Sequence, residues 1–171
     1  CYTQIPYQYF DIGIDFFNRK DYSQALINFD KAEQIADSEL ILEIEAYKRD
    51  IALDMINNIN SNLNQVSFSK SIQALNKTRK VSPYLWSETD KVEAQIFIKK
   101  GDILNKTNNY LYAIDYYQQA LDLDPSLFKE INDRYSNLVI LIINDVNSTT
   151  TFDELKLVTE YLKIIIDLKP Q

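Results

Sequence analysis

Histidine is absent from this chain of 171 residues, and cysteine occurs only once. Without histidine the chain lacks the most common general base, the usual nitrogen ligand of zinc and any Ser-His catalytic triad. A single cysteine excludes an intrachain disulfide and a metal site built from several thiolates. We therefore expect no catalytic residues, no metal site and no cofactor.

Glycine and proline are also scarce, with two and four residues respectively. Proteins rich in strands use both residue types in their turns, so this composition argues against all-β and α/β folds. The hydrophobic fraction of 46% is typical of a globular protein and not of a disordered one. Together these values predict an all-α protein.

The formal net charge is −7, whereas a protein that binds nucleic acid needs a basic surface to neutralise phosphates. We therefore expect no nucleic-acid partner. Acidic residues are plentiful, but pairs such as Glu43 and Glu45 diverge on a helix. The pattern indicates a solvated acidic surface and not a catalytic carboxylate pair, so the chain is predicted to be a non-enzyme.

Two parts of the sequence carry small and aromatic residues at identical steps of twelve, four and three. These are Gly13, Ala25, Phe29 and Ala32, and then Gly101, Ala113, Tyr117 and Ala120. A tyrosine precedes the first alanine by three residues in both copies, and Pro125 closes the second copy. The spacing predicts two antiparallel helices per copy, whose backbones approach closely at glycine and alanine, with an aromatic ring beside them.

This pattern resembles the tetratricopeptide repeat, strongly over 94–127 and well over 6–39. It departs from that family at Lys100, where leucine is usual, and at Leu104, where tyrosine is common. The resemblance implies an α-solenoid of about four helical hairpins that acts as a protein–protein interaction scaffold. In such proteins the first helix of each hairpin lines a concave groove, where a peptide or a partner's helix binds.

Apolar periodicity and capping residues predict eight helices in one helical domain over 6–171, preceded by a short tether over 1–5. The expected helices span 6–19, 22–36, 39–62, 67–80, 87–107, 110–123, 127–145 and 152–168.

The single cysteine is the first residue, Cys1, as in mature bacterial lipoproteins such as those of the outer membrane in Bacteroidota. That resemblance implies removal of a signal peptide, lipid on Cys1 and attachment to the outer membrane. Because no acidic run follows Cys1, the periplasmic face is favoured, with other envelope proteins as partners. The alternative is that Cys1 only marks an arbitrary boundary.

The first candidate partner-binding surface lies on the first helix. Four apolar residues there follow steps of three, four and three, with Asn18 at their edge: Tyr7, Phe10, Ile14 and Phe17. Under the repeat resemblance this face lines the groove, while Tyr9, Gly13 and Phe16 pack on the partner helix of the hairpin. Residues at helical spacing are also typical of core, so the alternative is that the stripe packs against the next hairpin.

The matching face of the second copy is mainly polar and suits hydrogen bonds to a peptide backbone. It comprises Gln95, Ile98, Asp102 and Asn105. An ordinary solvated helix face is the alternative. A basic patch at Lys70, Lys77, Arg79 and Lys80 fits an acidic partner, anionic lipid or, again, a solvated helix face.

Two other functions remain open. Aromatic faces also stack on sugars, so the chain fits a lipoprotein that binds glycan or peptide ligands. It also fits a fragment of a larger cytoplasmic tetratricopeptide scaffold.

Overall fold

The computed structural model describes residues 4–145 together with residues 151, 156, 159, 160, 162, 163, 165 and 166. Among these residues the secondary structure is helical, without a strand. Seven α-helices lie within 4–145: α1 (Ile5–Asn18), α2 (Tyr22–Glu33), α3 (Ser38–Asn62), α4 (Phe68–Val81), α5 (Trp86–Lys106), α6 (Tyr110–Leu123) and α7 (Phe128–Asp145). The all-α prediction is therefore confirmed for the described part of the chain.

The seven observed helices agree closely with the first seven predicted ranges, and the largest difference is the end of α2. This helix stops at Glu33 and not at residue 36, because the chain turns and Asp37 begins α3. The Asp37 carboxylate accepts a hydrogen bond from the Leu40 backbone N–H at 3.0 Å, as an N-cap does. Most of the predicted helix 152–168 lies outside the described residues.

The chain divides into two compact units, Cys1–Thr89 and Asp90–Gln171. In the first unit, α1 and α2 meet at Gly13, which lies directly against the Phe29 ring. A Cβ atom at Gly13 would come within 2.5 Å of that ring. Ala25 and Ala32, on either side of Phe29 along α2, are fully buried, so the two backbones approach closely along this line.

The second unit repeats the same contact. Gly101 on α5 faces the Tyr117 ring on α6, and a Cβ atom there would again lie within 2.5 Å of the ring. Ala113 and Ala120 are fully buried. The predicted close approach of helices at glycine and alanine is thus confirmed in both copies.

The turn that joins the two helices of each copy is also the same. Lys20 and Asn108 occupy equivalent positions, and both have a φ of 59°, in the left-handed region. Before the second helix begins, the Asp21 N–H bonds back to the Phe16 carbonyl, and the Asn109 N–H bonds back to the Leu104 carbonyl. These bonds satisfy carbonyls at the end of the first helix and reverse the chain in three residues.

Among the described residues, no helix is both long and apolar enough to cross a lipid bilayer.

Replacing either glycine with alanine should destabilise the fold. Alanine favours a helix interior by about 1 kcal/mol over glycine, but overpacking a rigid contact costs about 1–3 kcal/mol. Tyr117 and Phe29 are fully buried, so their rings cannot swing away. Thermal unfolding of Gly101→Ala and Gly13→Ala should show lower melting temperatures, and a rise in either would contradict the ring contact.

Replacing the left-handed residue of either turn with glycine should stabilise the fold. Lys20→Gly removes the left-handed strain of a side chain and should raise the free energy of unfolding by about 0.5–1 kcal/mol. Asn108→Gly should gain less, because asparagine tolerates this conformation better than lysine. Arg19→Gly is the matched control: its φ is −86°, so glycine there should destabilise. Urea denaturation distinguishes the three variants, and no gain at Lys20 would count against the turn geometry.

Candidate functional site

The aromatic stripe of α1 does not form an open groove. Phe10 is only 6% exposed, and its ring lies 5.8 Å from that of Phe29 and 5.6 Å from that of Tyr47 on α3, between ring centroids. Phe17 lies 5.1 Å from Tyr47, edge to face. Phe10 is therefore covered by α3, as the alternative of packing on the next hairpin required, which corrects its assignment to partner binding. Phe17 contacts α3 but is half-buried, and partner binding by Phe17 stays a prediction.

The remaining residues of the stripe differ in exposure. Ile14 is half-buried and packs against the core of the first unit, and its assignment to partner binding stays a prediction. Tyr7 is 43% exposed, and Asn18 at the end of α1 is also exposed. Partner binding by Tyr7 and Asn18 stays a prediction.

The residues of the second predicted surface, on α5, have different surroundings: one is buried in the core, and two line a groove. Ile98 is 3% exposed and belongs to the core of the second unit, which corrects its assignment to partner binding. Gln95 is half-buried. Asp102 and Asn105, in contrast, line a groove of about 330 Å³. The groove, called here the Asp102 groove, is also lined by Tyr117 of α6 and by four residues of α7: Glu130, Asp133, Arg134 and Asn137.

Asp102 joins three helices through its carboxylate. The Tyr117 hydroxyl of α6 donates a hydrogen bond to Oδ1 at 2.7 Å. The Arg134 guanidinium of α7 donates to both oxygens, from Nε to Oδ1 at 2.9 Å and from Nη2 to Oδ2 at 3.1 Å. This two-bond arrangement fixes the orientation of both groups, which a single ion pair does not.

Arg134 makes two further contacts. Its Nη1 atom donates to the Glu130 carboxylate at 3.0 Å, one helical turn earlier on α7. Its guanidinium carbon lies 5.9 Å from the centre of the Tyr117 ring, in cation–π range. The Arg134 charge is therefore compensated by Asp102 and Glu130. The other polar groups of the groove are mainly hydrogen-bond acceptors.

Tyr117 keeps its proton in this environment. Burial raises the pKa of the Tyr117 hydroxyl well above its usual value, and the hydrogen bond to the Asp102 carboxylate raises it further. The hydroxyl therefore acts as a fixed donor to Asp102 at neutral pH.

Asn105 adds an acceptor that the fold does not satisfy. Its side-chain Oδ1 atom is buried and has no hydrogen-bond donor among the described residues. A buried polar atom without a partner costs free energy, and native proteins contain few of them. With the carboxylates of Glu130 and Asp133 nearby, the groove is suited to a group that brings N–H donors, such as a peptide backbone or a basic side chain.

In the first copy, apolar residues occupy the positions equivalent to Asp102 and Asn105. Ile14 follows Gly13 as Asp102 follows Gly101, and Phe17 is the equivalent of Asn105. In the first copy these apolar side chains pack against the core that includes Tyr47. In the second copy the equivalent residues are polar and line an open groove.

Sequence patterns identified Asp102 and Asn105 but missed the residues of α6 and α7 that complete the groove. Tyr117 was assigned only to packing. Arg134 lies 32 residues from Asp102, so no helical spacing connects them. The one available signal was the spacing of Glu130 and Arg134, four residues apart, which places an ion pair on one face of α7.

Cys1, the predicted lipidation residue, lies outside the described residues, and the lipid anchor stays a prediction.

Burial of the Tyr117 hydroxyl, together with its hydrogen bond to Asp102, should make stability sensitive to alkaline pH. Because the folded pKa of Tyr117 is raised, its stabilising contribution is complete below the unfolded tyrosine pKa of about 10 and is lost at higher pH. Tyr117→Phe should lower the free energy of unfolding by about 1 kcal/mol at neutral pH. It should also reduce the loss of stability above pH 10.

Urea denaturation at a series of pH values measures both effects. A smaller alkaline loss remains in the variant, because a hydrogen bond to Asp54 raises the pKa of Tyr22 to about 12. Tyr112→Phe is the control for the same substitution at a side chain that is 63% exposed. An identical pH profile for wild type and Tyr117→Phe would show that the pKa of the Tyr117 hydroxyl is not raised in the folded protein.

Comparison with protein-family models, curated proteins and solved structures finds no match to this chain. The equivalence of its two copies therefore depends on internal observations alone. These are the contacts Gly13–Phe29 and Gly101–Tyr117 and the identical turns at Lys20 and Asn108.

Proposed function

We propose that this chain is a non-catalytic protein–protein interaction scaffold, built as a solenoid of about four hairpins and eight helices of the tetratricopeptide type. The repeated packing supports this proposal. Both copies place a glycine of the first helix against an aromatic ring of the second, with buried alanines on either side. Repeat scaffolds keep such contacts constant and vary the residues that face their partners.

The Asp102 groove is the observation that carries the proposed function. Its polar residues come from α5 and α7, which would be the first helices of successive hairpins. In the tetratricopeptide family the first helices line the surface that binds partners. An open groove formed by these two helices is therefore the expected location of a peptide site.

The chemistry of the groove favours a partner segment that supplies hydrogen-bond donors. Arg134 is already bonded to Asp102 and Glu130, so its charge is compensated within the site. Asp133 is exposed, and Asn105 has a buried acceptor without a donor among the described residues. An extended segment with a lysine or arginine side chain would pair with the exposed Asp133 carboxylate and compensate the negative charge of the groove.

Site-specific photo-crosslinking tests this function. A benzophenone amino acid is introduced at Asp133 or Asn137 in the groove, or at Tyr112 or Asp115 as exposed controls on α6. In cells of the native host, both groove positions should crosslink to the same protein, through a segment that contains lysine or arginine. Equal crosslinking from the control positions would contradict binding in the groove.

A charge reversal provides the quantitative test. Asp133→Lys should weaken the identified complex by about tenfold or more, because like charges across an interface repel. Asp115→Lys makes the same charge change outside the groove and should leave the affinity within about twofold. Isothermal titration calorimetry with the crosslinked segment measures both, and equal losses would assign the effect to net charge alone.

A further inference from the structure

Helix α4 is the basic element of an otherwise acidic chain. It carries Lys70, Lys77, Arg79 and Lys80 and no acidic residue, whereas the chain as a whole has a net charge of −7. Three of these cations, Lys70, Lys77 and Lys80, lie on one face with Gln73, at steps of three, four and three. All four of these side chains are exposed.

Arg79 has a structural role that distinguishes it from the lysines. Its guanidinium lies 5.4 Å from the centre of the Trp86 ring, and its Nε atom donates to the Thr89 hydroxyl at 3.2 Å. Lys70 and Lys77, in contrast, form no ion pair with any residue in the described part of the chain. Lys80 borders a second cavity that Glu33 and Glu45 also line, so Lys70 and Lys77 define the unpaired charge.

Helix stability does not account for these two lysines. Lys70 lies in the first turn of α4, where a positive charge opposes the helix dipole and an acidic residue would be favourable. Lys77 and Lys80 are three residues apart, so their charges repel each other on the helix surface. Lys80 lies in the last turn, where a cation favours the helix dipole, but no such contact accounts for Lys70 or Lys77, which a binding role would explain.

Two of these lysines, Lys77 and Lys80, line a concave surface with an apolar base, and Lys70 lies outside its lining on the same face of α4. A groove of about 500 Å³ runs along this face and is lined by Phe68, Ile72, Gln73, Asn76, Lys77 and Lys80. Phe68 and Ile72 are half-buried. They would contact an apolar side chain of a bound segment while the lysines pair with its carboxylates. A flat bilayer surface would reach the exposed lysines but would not fill the groove.

We propose that this basic groove on α4 is a docking site for an acidic segment of another protein that carries carboxylates and at least one apolar side chain. Charge complementarity defines the occupant, because unpaired cations beside an apolar base favour an anionic, partly apolar ligand. The proposal is independent of the Asp102 groove, which favours donors and basic groups.

Fluorescence anisotropy with a synthetic probe tests the proposal. The probe is a fluorescein-labelled peptide of the same length as α4, with glutamate at every third or fourth position and leucine between. The control peptide has glutamine in place of glutamate. We expect the wild-type protein to bind the glutamate peptide and not the glutamine peptide, and we expect binding to weaken as salt is added.

Matched variants separate the groove from the overall charge. Lys70→Gln with Lys77→Gln should weaken peptide binding by about tenfold or more. Lys91→Gln with Lys129→Gln removes the same charge from two other exposed lysines and should change affinity by less than about twofold. Both double variants should retain the wild-type melting temperature within about 3 °C.

Four outcomes would overturn the proposal. The first is that the glutamate peptide does not bind, and the second is that both double variants lose binding equally. The third is that vesicles of phosphatidylcholine and phosphatidylglycerol bind through Lys70 and Lys77 while the peptide does not, which would make the face a membrane surface. The fourth is a large fall in melting temperature for Lys70→Gln with Lys77→Gln, which would give the lysines a structural role.

Discussion

The contact between a glycine inside one helix and an aromatic ring of the next determines much of this structure. Gly13 against Phe29 and Gly101 against Tyr117 leave no room for a Cβ atom. Because the ring is buried against the glycine, the two helices can neither rotate nor separate without exposing it or colliding with it. The orientation of the first helix in each copy is thereby fixed, and so is the direction in which every other side chain of that helix points.

The orientation of the first helix determines the surroundings of the residue that follows the glycine. In the first copy it is Ile14, which packs with the core of its unit. Full burial of an apolar side chain is worth about 1.5–3 kcal/mol, and Ile14, which is half-buried, gains part of that. In the second copy it is Asp102, whose side chain is 38% exposed in its pair with Arg134. An ion pair at that exposure contributes at most about 1 kcal/mol.

The helices could be predicted from the sequence because local features determine them. Apolar periodicity and breaks at residues such as Asp37 and Pro125 act within one or two turns, so the predicted limits of α1 and of α3 to α7 were correct within one residue. The glycine contacts were predictable for a similar reason, since their spacing occurs twice. The predicted end of α2 is three residues too late, because helical periodicity continues through the turn at Gln34 and Ile35 that precedes the Asp37 cap of α3.

The candidate sites were harder to predict, because periodicity shows which residues share a face but not what covers that face. The stripe at Phe10 and Phe17 has the spacing of a groove, yet Tyr47 on the third helix packs over it. The Asp102 groove depends on Arg134, whose distance from Asp102 in sequence is bridged only by tertiary packing. The basic face of α4, in contrast, follows from one helix alone, so its composition was visible in the sequence.

The identical turns at Lys20 and Asn108 have a consequence for how such a chain can diverge. The turn closes through backbone hydrogen bonds and one left-handed residue, and none of these involves Asp102, Asn105 or the α7 residues that line the Asp102 groove. Mutations can therefore accumulate in the groove while the hairpin that supports it is conserved by selection for folding. A repeated hairpin of this kind can carry different surface chemistry on the same backbone, as the contrast between Ile14 and Asp102 shows within a single chain.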